Sequence, residues 1–226
     1  MICHKSDTNS KDLVVQNLKE NRVVIIPTDT VNGSSAAVVF DKNGKSLNSE
    51  KICNLKGRDE NKPFIQLIST PSEIQNITNQ KIPSNLLKFW PGPLTIIVKD
   101  KNNENSTIAV RCPGDQWLRN VIKDCGFPLY STSVNLSGCP ILETEEEILK
   151  TFSDKVNLIV LDGDKKNGVP STIVKIDGES FSVLRQGAVK LSYKNQIHCD
   201  FLIQLTFVSV GIVWSLFERE IVFFIP

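Results

Sequence analysis

Three cations, Lys56, Arg58 and Lys62, fall within seven consecutive positions of the stretch ICNLKGRDENKPF. Arginine offers a planar fork that matches phosphate or carboxylate, and lysine a compact point charge, so such a cluster suits a polyanionic ligand. Four other groups share that character. PTDTVNG supplies the hydroxyls of Thr28 and Thr30 at the exit of an apolar run. In TIAVR, Thr107 and Arg111 lie four apart, and in a strand that spacing puts them on one face. STSVNLSG carries Ser133 and Asn135 ahead of Gly138, and GVPST with VLRQGA adds Ser171, Thr172 and Arg185. Hydroxyls, one amide and basic groups of this kind bind and neutralise anions. They do not form a nucleophilic dyad.

Other chemistries are excluded by what is missing. NGKS, residues 43–46, has the end of a phosphate-binding loop, but Val39 stands where the upstream glycine is required. There is no G-x-G-x-x-G, so the dinucleotide fingerprint is absent. His4 and His198 lie far from the hydroxyl-bearing motifs and give no serine or cysteine a base. Six cysteines without a C-x-x-C pair, and only two histidines, offer little to zinc.

The elements that must position these groups read as α/β. Valine- and isoleucine-rich runs alternate with amphipathic segments. The pattern predicts a helix over 10–21 capped by Ser10, a buried strand over 23–26 ended by Pro27, and a helix over 48–55 that delivers Lys56 and Arg58. FIQLIS, PLTIIVK, TIAVR, PLYSTS and VNLIVL read as strands. Trp117, Leu118, Val121 and Ile122 mark a helix that Gly126 closes. Thr144 and Glu147 form a capping box, and STIVKIDGESFSVLR reads as a hairpin turning at Asp177-Gly178. Together these make a mixed sheet flanked by helices.

Composition sets limits on partners. Lys+Arg 26 against Asp+Glu 25 leaves a net charge of +1, which argues against a surface coated for bulk nucleic-acid binding. Any anion site is therefore a local concentration of cations. Singly, each motif has an ordinary structural explanation: cations suit helix C-termini, PTDT and Ser/Asn/Gly segments suit turns, and Arg111 or Arg185 suits a salt bridge. Their joint order along the chain is what calls for a common site.

That order, PTDTVNG, KGR with KP close behind, WPGPLTIIV, TIAVRCP, STSVNLSG, GVPSTIV and VLRQGAV, resembles the threonylcarbamoyl-AMP synthase family of YrdC-like fold over residues 12–189. The resemblance implies a twisted mixed sheet with flanking helices around a concave basic cavity. It also implies an adenylating activity: L-threonine, bicarbonate and ATP give threonylcarbamoyl-adenylate and pyrophosphate, for modification of tRNAs that read ANN codons. Carried over, Lys56 and Arg58 are the catalytic cations on the ATP phosphates. Ser133 faces threonine and Asn135 the nucleotide. Thr30, Lys62, Arg111 and Ser171 lie at the amino-acid and carbonate end, and Thr107 and Arg185 on the nucleotide side. Mg²⁺ is expected to arrive with ATP. The partner implied downstream is a threonylcarbamoyl transferase complex, with contact to tRNA itself left open. The chain departs from the family at Asn32, where tyrosine is usual, at Ser34, where leucine is usual, and at Asp59, where proline is common. The alternative is a non-catalytic YrdC-like module that binds RNA or a protein partner.

Residues 1–190 are expected to form the synthase-like domain and 191–226 a hydrophobic extension. The polar start carries no secretory leader pattern, so a cytoplasmic protein with reduced cysteines is expected. Residues 201–217 hold 17 uncharged positions. As a helix they would span about 25 Å at about 1.5 Å per residue, against a bilayer core of about 30 Å. Two readings stand, a membrane anchor or a packing extension.

Overall fold

A computed structural model describes residues 1–59 and 63–191. Lys62 and residues 192–226, with the apolar run 201–217, lie outside the described residues. In chain order the elements are β1 (Ile2–His4), α1 (Ser10–Lys19), β2 (Val24–Ile26), β3 (Gly33–Ala37), α2 (Ser49–Lys56) and β4 (Ile65–Leu67). A 3₁₀ turn, Pro71–Glu73, leads into α3 (Ile74–Ile77), followed by α4 (Ser84–Leu87), β5 (Leu94–Lys99), β6 (Thr107–Arg111) and α5 (Gln116–Cys125). The described chain ends with β7 (Leu129–Ser133), α6 (Glu145–Phe152), β8 (Leu158–Leu161), β9 (Thr172–Asp177) and β10 (Ser180–Arg185).

All ten strands join one mixed sheet in the order β1-β8-β2-β3-β7-β4-β6-β5-β9-β10. Segments distant in sequence therefore become neighbours at its centre. β7 runs antiparallel between β3 and β4, with Ser131 opposite Ser35 on one side and Ile65 on the other. β4 then pairs in parallel with β6, placing Leu67 opposite Arg111. Three apolar clusters hold the helices on. One joins α1 and α5 to β2 and β8 through Val14, Leu18, Val24, Ile26, Leu118, Val121 and Leu158. Another joins α2 and α6 to the opposite face through Ile25, Ala36, Ile52, Tyr130, Ile148 and Phe152. The third builds the β5–β9–β10 half around Leu94, Ile96, Val110, Val174 and Phe181.

Local chemistry explains where elements begin and end. In α5, Leu118, Val121, Ile122 and Cys125 recur on one buried face. Its start is capped by Asp115, whose side chain accepts from Leu118 N at 3.1 Å. Gly126 closes it at φ +82°, a left-handed conformation open to glycine at no steric cost. The Thr144–Glu147 capping box forms as expected.

Two expectations are corrected. Ser10 is the first residue of α1 rather than its cap, and its hydroxyl donates to Lys5 O at 2.8 Å. The hairpin turns on Gly178 and Glu179, because Asp177 and Ser180 are themselves a ladder pair and Gly178 carries the positive φ of 61°. The sequence NGKS belongs to a small loop tied by Asp41, whose carboxylate accepts from Asn43 N and Lys45 N, both at 2.8 Å. At the end of β10 a bulge lies between Val183, opposite Val174, and Arg185, opposite Ile173. Among the described residues no helix is long and apolar enough to cross a membrane.

Candidate active site

The sheet centre opens into a cavity of about 270 Å³ whose walls come from distant segments: Thr30 and Asn32, Arg58, Arg111, Ser131 to Ser133, Ser171, and Arg185. Three arginines line it, and no carboxylate does among the described residues. The expected concave basic hollow is therefore present.

Its first wall is made by the end of α2. Gly57 adopts φ +60°, turning the chain back so that Arg58 N donates to Cys53 O at 2.9 Å. That turn separates the two neighbouring cations. Lys56 points inward and is only 2% exposed. Its ammonium donates to Ser133 O and, at 2.7 Å, to Asn135 Oδ1. Asn135 Oδ1 also accepts from Ser133 Oγ at 2.9 Å, while Asn135 Nδ2 donates to Cys139 O at 2.7 Å. Ser137 N donates to Lys56 O at 2.8 Å, tying the Ser/Asn loop to the helix end. Burial, and secondarily the charge of Arg58, pushes the Lys56 ammonium down to about 8. Arg58 itself faces the cavity, stacked 5.0 Å from the Phe64 ring centre, with Nη1 3.3 Å from Thr132 Oγ1 and Nη2 3.0 Å from Pro63 O.

A second wall is built on PTDT. Thr28 Oγ1 donates to Val31 O at 2.7 Å and accepts from Thr30 N at 3.1 Å, folding the motif into a tight turn. Arg111, 4% exposed at the end of β6, donates from Nη1 to Thr30 Oγ1 at 2.9 Å and from Nε to Gly92 O at 3.1 Å. Its Nη2 donates to Asp29 Oδ1, and Asp29 Oδ2 accepts from Gly114 N at 2.9 Å. Arg111 therefore enters the cavity already ion-paired, with part of its fork committed to the protein. On the far side, Ser171 Oγ lies 2.8 Å from Thr95 Oγ1. Arg185 holds Ser171 O through Nη2 at 2.8 Å and Nε at 3.2 Å. The bulge in β10 puts Arg185 opposite Ile173, itself a wall residue.

Of the site residues expected from sequence, Thr30, Arg58, Arg111, Ser133, Ser171 and Arg185 line the cavity. Lys56 and Asn135 sit directly behind Ser133, joined to it by hydrogen bonds. Thr107 does not come to the site. It is exposed at the opposite end of β6 from Arg111, opposite Lys99. Sharing a strand face was too weak a criterion, since four residues of strand cover about 13 Å.

Sequence reasoning passed over Asp29, Gly33 and Ser131, whereas Asn32, expected in the floor of the pocket, does line it. Asp29 stood inside a quoted motif, and the signal for it was an acidic residue among groups chosen to bind anions. Gly33 matters because a Cβ there would lie 2.8 Å from Ser131 Oγ, so a larger residue would close the cavity floor.

Comparison with known proteins agrees with this geometry. The Sua5–YciO–YrdC family model, described as "Telomere recombination", matches residues 16–187. The chain is 31% identical over 184 residues to a threonylcarbamoyl-AMP synthase of Bacillus subtilis, covering 76% of this chain and 51% of the relative. It is 30% identical over 187 residues to a putative threonylcarbamoyl-AMP synthase of Methanocaldococcus jannaschii, covering 80% and 86%. Among solved structures, Pyrococcus abyssi Sua5 complexed with L-threonine superposes with a TM-score of 0.71 at 26% identity, over 83% of this chain and 57% of that one. The chain thus spans about half the length of the Bacillus and Pyrococcus proteins.

Proposed function

The chain belongs to the Sua5–YciO–YrdC family, and on that premise we propose that it is a threonylcarbamoyl-AMP synthase, a nucleotidyltransferase. The observation that carries the reading is a hollow lined by three arginines, with a buried lysine behind it and hydroxyls between them. The reaction demands such a place. The amine of L-threonine condenses with bicarbonate to a carbamate, releasing water. A carbamate oxygen then attacks the α-phosphorus of ATP, forming the P–O bond of threonylcarbamoyl-adenylate as the bond to pyrophosphate breaks. Carboxylate, carbamate and triphosphate must approach one another, so fixed positive charge offsets their repulsion and stabilises the transferring group. At an effective dielectric of about 20, one close cation–anion contact is worth roughly 4 kcal/mol before desolvation.

Each group has a role that fits its place. Lys56 and Arg58 hold the phosphates, with Asn135 keeping the ammonium aimed. Arg111, neutralised by Asp29, offers its remaining N–H groups to the carboxylate or carbamate beside Thr30. Ser133 and Ser171 contribute hydroxyls across the hollow, and Arg185 orders Ser171. A volume of about 270 Å³ is small for a ligand site, so the reacting groups are enclosed while adenosine extends to the mouth. Among the described residues no carboxylate lines the wall, which fits a Mg²⁺ that enters with ATP as part of the substrate. The labile adenylate is consumed by a threonylcarbamoyl transferase acting on tRNA.

The test is pyrophosphate release from ATP. It should require both L-threonine and bicarbonate, and Arg58→Ala should cut it at least a hundredfold while the far-UV spectrum stays unchanged. Release that persists without threonine would refute the assignment.

A further inference from the structure

We propose that the carboxamide of Asn32 reads a hydroxyl group on the ligand held in this cavity, an inference that takes the identity of the ligands from the synthase reading. Asn32 is 5% exposed and forms part of the cavity wall between Thr30 and Gly33. Its backbone is fixed, because Asn32 O accepts from Val134 N at 3.1 Å and Gly33 pairs with Ser133 in the β3–β7 ladder. Its side chain nevertheless makes no hydrogen bond with any described residue, whereas Thr28, Thr30, Thr132, Ser133 and Ser171 around it are all bonded within the protein. The glycine at 33 keeps the floor beside it open. Neither amide atom is among the buried polar atoms left without a partner, so the amide is wetted at the cavity surface and can exchange that solvent for a ligand group.

The chemistry of the amide selects what that ligand group is. A carboxamide is neutral and carries both an acceptor oxygen and a donor nitrogen. Anionic groups need only donors and already face Arg58, Arg111 and Arg185; an ammonium needs only acceptors. A hydroxyl both donates and accepts, and so meets both ends of Asn32. The proposed reaction brings two sources of hydroxyl, the amino-acid side chain and the ribose. A site built around a hydrogen bond to a substrate hydroxyl rejects the analogue lacking it far more strongly than an apolar pocket does.

Titration calorimetry on the full chain and on Asn32→Leu, with L-threonine, L-valine, ATP and 2′,3′-dideoxy-ATP, tests this. Wild type is expected to bind at least one hydroxylated ligand tenfold or more tighter than its hydroxyl-free counterpart. Asn32→Leu is expected to erase that preference while binding the counterpart within twofold of wild type. Loss in the threonine–valine pair assigns the amino-acid hydroxyl, and loss in the nucleotide pair assigns the ribose. Ligand-free Asn32→Leu should still unfold in one cooperative transition, so that its binding is read on a folded protein. A preference that survives in the variant, one absent from wild type, or a weakening shared equally by all four ligands would overturn the proposal. Pyrophosphate release measured alongside keeps the two readings apart: its absence with the hydroxyl preference intact refutes the synthase and leaves Asn32 standing.

Discussion

Raising the pH through 8 should weaken ATP binding, and Lys56 sets the size of the effect. Its ammonium is buried, meets only a carbonyl and an amide oxygen, and lies near Arg58, so it titrates at about 8 instead of 10.5. That displacement represents roughly 3 kcal/mol against the charged form in the folded protein. Between about 8 and 10.5 the unfolded chain holds the proton more tightly than the folded one, so this residue's contribution to stability rises with pH across that window. Below about 8 the full cost of the buried charge is present. A polyphosphate beside Lys56 reverses the preference and draws a proton in. The dissociation constant for ATP should therefore be flat from pH 6.5 to 7.5 and rise about tenfold per pH unit above about 8. Phosphate ionises near pH 6 and contributes little there. Calorimetry at pH 7, 8, 9 and 9.5, in buffers of different ionisation enthalpy, should show proton uptake approaching one per ATP near pH 9. Lys56→Met should bind more weakly and lose the pH dependence. A dissociation constant unchanged to pH 9.5 with no proton uptake would refute both the depressed ammonium and its contact with phosphate.

Two further outcomes follow from the same geometry. Asp29→Asn leaves Arg111 as a buried cation without its counter-ion and should cost about 3 kcal/mol, read as a lower midpoint in urea with the slope unchanged. Gly57→Ala meets no atom within 4 Å but forces a left-handed backbone, so it should cost about 1 kcal/mol and lower the melting temperature by about 2–4 °C. Because that turn also re-aims Arg58, pyrophosphate release in Gly57→Ala should fall further than the stability loss accounts for.

Where local pattern carried the information, the sequence was readable. The buried face of α5, the Thr144–Glu147 cap and the β9–β10 hairpin each follow from spacing within about ten residues. β3 escaped because GSSAA is buried on both faces by small side chains and has none of the branched residues that mark a strand. β1 escaped because it has three residues and one buried position, and its partner β8 begins more than 150 residues later. In the site, residue types announced affinity for anions, and the order of motifs located most of the wall. Pairing was not legible. Asp29 meets Arg111 across 82 positions, and no local rule says that one of three cavity arginines arrives neutralised. Thr107 was misplaced because strand alternation gives a side of the sheet and no position along it.

The bulge in β10 carries a consequence for insertions and deletions. In an unbroken ladder Arg185 would fall opposite Thr172 and share the side of Val183, which packs into the apolar cluster with Val174 and Ile176. One surplus residue at Leu184 reverses that parity and hands the guanidinium to the ligand side. Loss of the Leu184 codon would thus leave the arginine opposite Ile173 and facing the hollow, whereas one codon added in β9 between Ile173 and Val174 would fill the bulge and turn that positive charge toward hydrocarbon.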